Sequence, residues 1–234
     1  MKNKRVLLPG AIVCLLFVFG LAYVSDVSRA SDDALRCLSD TEEVRVVRGS
    51  DEVFLDGPGE EDALIFYPGG KVEFTAYAPL LRQIAAEGTD CFLLKMPLNL
   101  AVLGKNRAED VMREHDYRHW YLGGHSQGGA AAAMFAADHA VDGLILLAAY
   151  PTSPVDERTL ELYGSEDGVL NQKNRERGDA YLPEGSVVEV IPGGNHAQFG
   201  SYGSQRGDGD ATISRAEQQA VAIQKIRNFI QNTP

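Results

Sequence analysis

The sequence predicts an α/β fold: one mostly parallel sheet of about eight strands with helices on its faces. Three observations carry this. From about residue 41, short apolar runs alternate with helical stretches, the order that builds a sheet through crossover connections. Two runs, Ala63–Tyr67 and Gly143–Ala148, are apolar at every position or nearly so, as strands buried on both faces must be. A third run, Arg118–Gly123, leads directly into Gly124-His125-Ser126-Gln127-Gly128-Gly129 and an alanine-rich stretch, a strand turning sharply into a helix.

The elements follow in order. Val44–Arg48 and Glu52–Asp56 read as two short strands joined at Gly49-Ser50-Asp51, an antiparallel start. Ala63–Tyr67 is a strand ended by Pro68-Gly69-Gly70. Thr75–Glu87 reads as helical, the regular helix starting near Ala78 with Pro79 in its first turn and Gly88 stopping it. Asp90–Lys95 is the next strand, followed by a helix over Asn106–Glu114. After Arg118–Gly123 comes a helix over Ala130–Ala140, then the central strand Gly143–Ala148. Thr159–Tyr163 is a strand with the loop Gly164–Gly168 beyond it, and Leu170–Arg177 a polar helix. Ser186–Ile191 is the last strand, leading to Pro192-Gly193-Gly194-Asn195-His196. Ser214 and Glu217 form a capping-box pattern ahead of a helix with Ala220, Ile223, Ile226, Phe229 and Ile230 along one side.

The first 30 residues stand apart from this domain, which is expected over 31–234. Lys2, Lys4 and Arg5 precede an apolar run from Val6 to Val24, the pattern of an export signal. Cleavage could follow Gly20-x-Ala22 or Ser28-x-Ala30. Left uncleaved, residues 6–24 approach the ~20 needed to span a bilayer and would be the chain's contact with a membrane. Either way the domain is expected outside the cytoplasm, secreted or anchored. The net charge of -11 has no basic stripe to set against it, so a nucleic-acid partner is excluded. Cys37 and Cys91 could pair in an oxidising compartment, against two unpaired thiols with one buried. Neither they nor the histidines show metal-ligand spacing, and no metal or cofactor is expected.

Chemistry concentrates in three loops that follow predicted strands. Gly124-His125-Ser126-Gln127-Gly128 fits G-x-S-x-G in the setting of a nucleophile elbow, with glycines where side chains would collide with neighbouring chain. A serine hydroxyl needs an adjacent base. His196 is the candidate base and Asp167 the acid that orients it, with Glu166 as rival; all lie just past later strands. His125 is expected to pack beside the site without transferring protons, and His115, His119 and His139 to lie at edges. The oxyanion donors are expected to be the amide of Gln127 and that of Gly70 or Lys71. Arg206-Gly207-Asp208 and Asp208-Gly209-Asp210 read as a glycine-rich loop without a role.

Together these residues resemble the α/β-hydrolase superfamily, and more narrowly its compact bacterial α/β-hydrolase family 5 branch, akin to dienelactone hydrolases. The resemblance runs from about Asp62 to the last helix. It is carried by Phe66–Val72, Lys95–Leu100, Gly124–Gly129, Tyr163–Asp167 and Gly194–Gly200. It implies an α/β-hydrolase fold with an eight-stranded sheet and a catalytic triad of Ser126, Asp167 and His196. Dienelactone hydrolases carry a cysteine where this chain has Ser126. Only Ala149–Arg158 follows the central strand, too little for a cap. A small or extended ester or thioester, hydrolysed through an acyl-enzyme, is therefore the expected substrate. An acyltransferase with the same triad and a non-catalytic envelope binding protein are the alternatives.

Overall fold

The computed structural model describes residues 4–233. A helix, α1 (Lys4–Ser25), is followed by the short α2 (Asp32–Arg36). An eight-stranded sheet then forms from β1 (Arg45–Arg48), β2 (Glu52–Asp56), β3 (Asp62–Tyr67), β4 (Thr89–Leu94), β5 (His119–His125), β6 (Gly143–Leu147), β7 (Thr159–Gly164) and β8 (Val187–Ile191), in the order β1-β2-β4-β3-β5-β6-β7-β8. The pairs β1–β2 and β2–β4 are antiparallel and all others parallel. Helices α3 (Ala78–Ala86), α4 (Arg107–Glu114), α5 (Gln127–Ala136), α6 (Gln172–Gly178) and α7 (Arg215–Gln231) complete it. Among the described residues no helix is long and apolar enough to cross a membrane.

Alternation along each strand sorts the core into two layers. Leu64, Phe66, Leu93, Ile145, Leu147 and Leu162 point to one face, where Leu80, Leu81 and Ile84 of α3 and Ile223, Ile226 and Phe229 of α7 cover them. Ala63, Ile65, Phe92, Leu122, Leu144 and Leu146 point to the other, against Ala108 and Val111 of α4 and Ala131, Ala132 and Phe135 of α5. Each fully buried Leu, Ile or Phe contributes about 1.5–3 kcal/mol. The two-sided burial explains why β3 and β6 read as nearly continuous apolar runs.

Several boundaries shift for physical reasons. The helix expected from Ala130 starts at Gln127, because the chain reverses within the single residue Ser126 and enters the helix at once. Ahead of α3 the expected helical stretch is a tighter 3-10 turn, Phe74–Tyr77, and the regular helix begins at Ala78 as expected. The capping box of α7 forms, with Glu217 N–H donating to Ser214 Oγ and Ser214 N–H to the Glu217 carboxylate. Cys37 and Cys91 are unpaired, and Cys91 is buried. The link between β6 and β7 carries no helix and no cap.

One buried charge is unusual. Glu161, in the middle of β7, has a fully buried side chain whose carboxylate oxygens accept no hydrogen bond among the described residues; Arg175 of α6 lies 3.5 Å away. Burial pushes its carboxyl up to about 7, against the opposing pull of Arg175. The folded state therefore holds a proton that the unfolded chain releases above about 4.5, so this group's contribution to stability is lost as pH rises from about 4.5 through 7. Glu161→Gln removes that dependence. Its melting temperature relative to wild type should rise between pH 5 and pH 8; an unchanged difference would show that Glu161 keeps an ordinary carboxyl.

Candidate active site

The carboxyl ends of β5, β7 and β8 meet at one edge of the sheet, where ligands bind in open α/β folds. Ser126 follows β5 with φ 53° and ψ −122°, a conformation rarely held by a residue with a side chain. It costs of order 1–3 kcal/mol and persists only where the surroundings fix it. Two glycines make it sterically feasible. A Cβ on Gly124 would lie 2.5 Å from the Gly128 carbonyl carbon, and one on Gly128 would lie 2.2 Å from the Tyr67 carbonyl oxygen. The elbow can thus press against both its own helix and the end of β3.

Asp167 lies past the end of β7. Its Oδ1 accepts from the amides of Val169 (2.9 Å) and Leu170 (2.8 Å), which fix the carboxylate rotamer. Its Oδ2 lies 2.9 Å from His196 Nδ1, and both side chains are almost wholly buried. Glu166 is exposed and bonded to Ser165 Oγ, so it is not the partner of the imidazole. With Nδ1 donating to Asp167, Nε2 carries the lone pair; it is buried and has no hydrogen-bond partner among the described residues. His196 and Ser126 line the same cavity of about 250 Å³. The serine–imidazole hydrogen bond itself is not formed.

The amide of Lys71 is already committed, donating to the Asn99 carbonyl at 2.8 Å, which leaves the Gly70 amide of the two expected donors. Gly70 lies against Gln127: a Cβ there would come within 3.3 Å of the Gln127 Cβ. The Gln127 amide opens α5 and has no acceptor among the described residues, as the first amides of helices do.

His125 is fully buried and ties three loops together. Its Nδ1 accepts from the Tyr77 hydroxyl (2.8 Å), which in turn accepts from the Gly69 amide, and its Nε2–H donates to the His196 carbonyl (3.1 Å). Burial holds its pKa well below the ordinary imidazole value, so the ring stays neutral and fits this single tautomer. It packs beside the site, as expected. Of the outlying histidines, His139 stacks on Phe135 and His119 pairs with Asp142.

Sequence reasoning missed Asp208. Its Oδ1 accepts from the amides of Gly168 (3.2 Å), His196 (3.1 Å) and Gly209 (2.9 Å), and its Oδ2 from Ala197 (2.8 Å). One carboxylate thereby joins the Asp167 loop to the His196 loop. From the other side Gln218 of α7 brackets Asn195, accepting from its amide and donating to its carbonyl. The only sequence signal for Asp208 was an aspartate between two glycines, one of which, Gly209, donates its amide to it.

With this geometry in view, the sequence model of the alpha/beta hydrolase family matches residues 63–220, spanning β3 into α7. The chain belongs to that family. No curated protein matches the sequence. Solved structures share the alpha/beta hydrolase fold at low identity. A predicted CIB-like hydrolase from Thermoplasma acidophilum superposes with a TM-score of 0.60 at 14% identity, covering 80% of this chain and 98% of the other. A ferulic acid esterase from Streptomyces cinnamoneus gives 0.61 at 20%, covering 76% and 68%. Thermogutta terrifontis esterase 2, phosphorylated by paraoxon, gives 0.58 at 12%, covering 82% and 94%.

The four amides on Asp208 define a test of its role. Asp208→Asn weakens charge-assisted hydrogen bonds worth about 1.5–3 kcal/mol each and turns an N–H toward at least one amide. Amide exchange at Gly168, His196 and Ala197 should accelerate at least tenfold while that of β5 and β6 is unchanged. Equal protection in both proteins would mean the carboxylate holds nothing in place.

Proposed function

We propose that this alpha/beta hydrolase is a serine esterase acting on small, uncharged esters or thioesters through an acyl-enzyme. The observation that carries the reading is the pairing of the buried His196 with Asp167 at 2.9 Å in the same cavity as a serine held at φ 53°. Ser126 Oγ attacks the acyl carbon as His196 Nε2 takes its proton, and Asp167 stabilises the imidazolium. Charge on the carbonyl oxygen is met by the amides of Gln127 and Gly70. The imidazolium then protonates the departing alkoxide or thiolate, leaving the acyl group on Ser126. Water, deprotonated by the same nitrogen, releases the acid and restores the hydroxyl.

The cavity supports the substrate class. Its walls include Ala130, Ala148, Ala149, Val169 and Leu170, and no lining residue besides His196 brings an acidic or basic side chain. A short neutral group fits such a wall, whereas a carboxylate-bearing one would lose its hydration without a partner. Esterase names among the structural neighbours agree with the bond type. The basic start and apolar run of α1 support its reading as an export leader. Val13, Phe17 and Leu21 are exposed, so they contribute nothing to the core of the domain.

A fluorophosphonate probe forms a phosphorus–oxygen bond with an activated serine and expels fluoride. Wild type should be labelled and Ser126→Ala should not; a folded wild type that takes up no probe would make the chain a binding module. Removal of the base is the second check. His196→Ala should lower kcat on p-nitrophenyl acetate by about 10³-fold or more, and near-normal turnover would place the base elsewhere.

A further inference from the structure

The chain just after α1 reaches the oxyanion loop. Ser28 N–H donates to the Lys71 carbonyl at 2.8 Å, and Glu73 N–H donates to the Ser28 carbonyl at 2.9 Å, a one-residue parallel bridge between Ser28 and Val72. Two residues on, the Ala30 amide donates to the Glu73 carboxylate at 3.1 Å. The Ser31 amide donates to the Ser201 carbonyl at 2.8 Å, at the end of the turn that follows His196. The Lys71 ammonium lies 3.6 Å from the centre of the Tyr23 ring and 3.5 Å from Asp26. A short stretch of chain therefore touches both the oxyanion loop and the histidine loop.

Lys71 needs such support. Its φ of 58° lies in the left-handed region, which costs a residue with a side chain roughly 1 kcal/mol or more and must be held by neighbours. Its amide is fixed by Asn99 and its carbonyl by Ser28. Those two bonds orient the peptide groups on either side of it, immediately after Gly70. A donor displaced by a few tenths of an ångström loses much of its value to a developing oxyanion.

We propose that the main chain of residues 26–31 acts as a positioning strap on the oxyanion loop, so that any processing which leaves an active chain falls ahead of Ser28. Cleavage after Ala30 would remove both main-chain bonds, whereas cleavage after Ala22 would leave them in place. The working domain then begins at the strap and not at residue 31. This rests on the esterase reading, with Gly70 as an oxyanion donor.

The strap acts through its main chain, which separates it from a side-chain effect. In the full-length chain, Ser28→Pro deletes the N–H that reaches Lys71, and Ser28→Ala keeps it. Ser28→Pro should lower kcat on p-nitrophenyl acetate about tenfold or more, with KM within about twofold, and Ser28→Ala should match wild type. In cells making the unaltered protein, the chain labelled by a fluorophosphonate should have an amino terminus at or before Ser28 by mass. Wild-type kcat in Ser28→Pro, or a labelled chain that starts at Ser31, overturns the proposal. Should Ser28→Pro fail to fold, the amino terminus of the labelled chain decides alone. A wild type that takes no label refutes the esterase reading beneath it, a result distinct from either.

Discussion

The reversal of the chain at Ser126 is the constraint on which the site depends. A residue at φ 53° carries strain that the fold must overcome, and the surrounding packing shows how it does so. β5 is paired on both sides, to β3 and β6, so the incoming backbone cannot relax. On the outgoing side, α5 is buried along Gly128, Gly129, Ala131 and Ala132. A side chain at 129 would meet the Ala149 Cβ at 2.5 Å. Small residues let the helix lie close enough to the sheet to hold the strained turn shut.

Around that turn the remaining loops are fastened to each other as well as to the sheet. His125 connects the Gly69 loop, through Tyr77, to the carbonyl of His196, and Asp208 connects the His196 loop to the Asp167 loop. Gln218 adds a third attachment from α7. These partners are mostly main-chain groups, so the network fixes positions without placing extra ionisable side chains in the cavity. The neutral state of His125 is part of this arrangement, since an imidazolium would turn an acceptor nitrogen into a donor facing the Tyr77 hydroxyl.

Much of this was legible from residues alone, for local reasons. The β3 and β6 runs announce themselves by their near-continuous apolar character, and Ser126, Asp167 and His196 each lie in a short glycine-bearing turn just beyond a strand. The geometry then brings the last two together. What stayed hidden depends on contacts between main-chain groups far apart in sequence. The choice between Gly70 and Lys71 turns on the carbonyl of Asn99, itself in a turn where Leu98 and Asn99 both have positive φ. Asp208 binds amides, which leave no imprint on side-chain pattern. Helix α5 begins earlier than its alanines suggested because a single strained residue can do the work of a loop.

The uncapped link between β6 and β7 has its own implication. Its ends are pinned where Ala148 donates to Leu162 and Leu144 to Arg158, while Thr152, Ser153 and Pro154 between them face solvent. Lengthening such a segment adds only a slowly growing entropic cost, about 0.6 kcal/mol per doubling. New sequence accepted there would roof the cavity beside Ser126 without disturbing the strands beneath it. Recognition and reactivity in this scaffold can therefore diverge independently, one by insertion and the other by side-chain exchange at the strand ends.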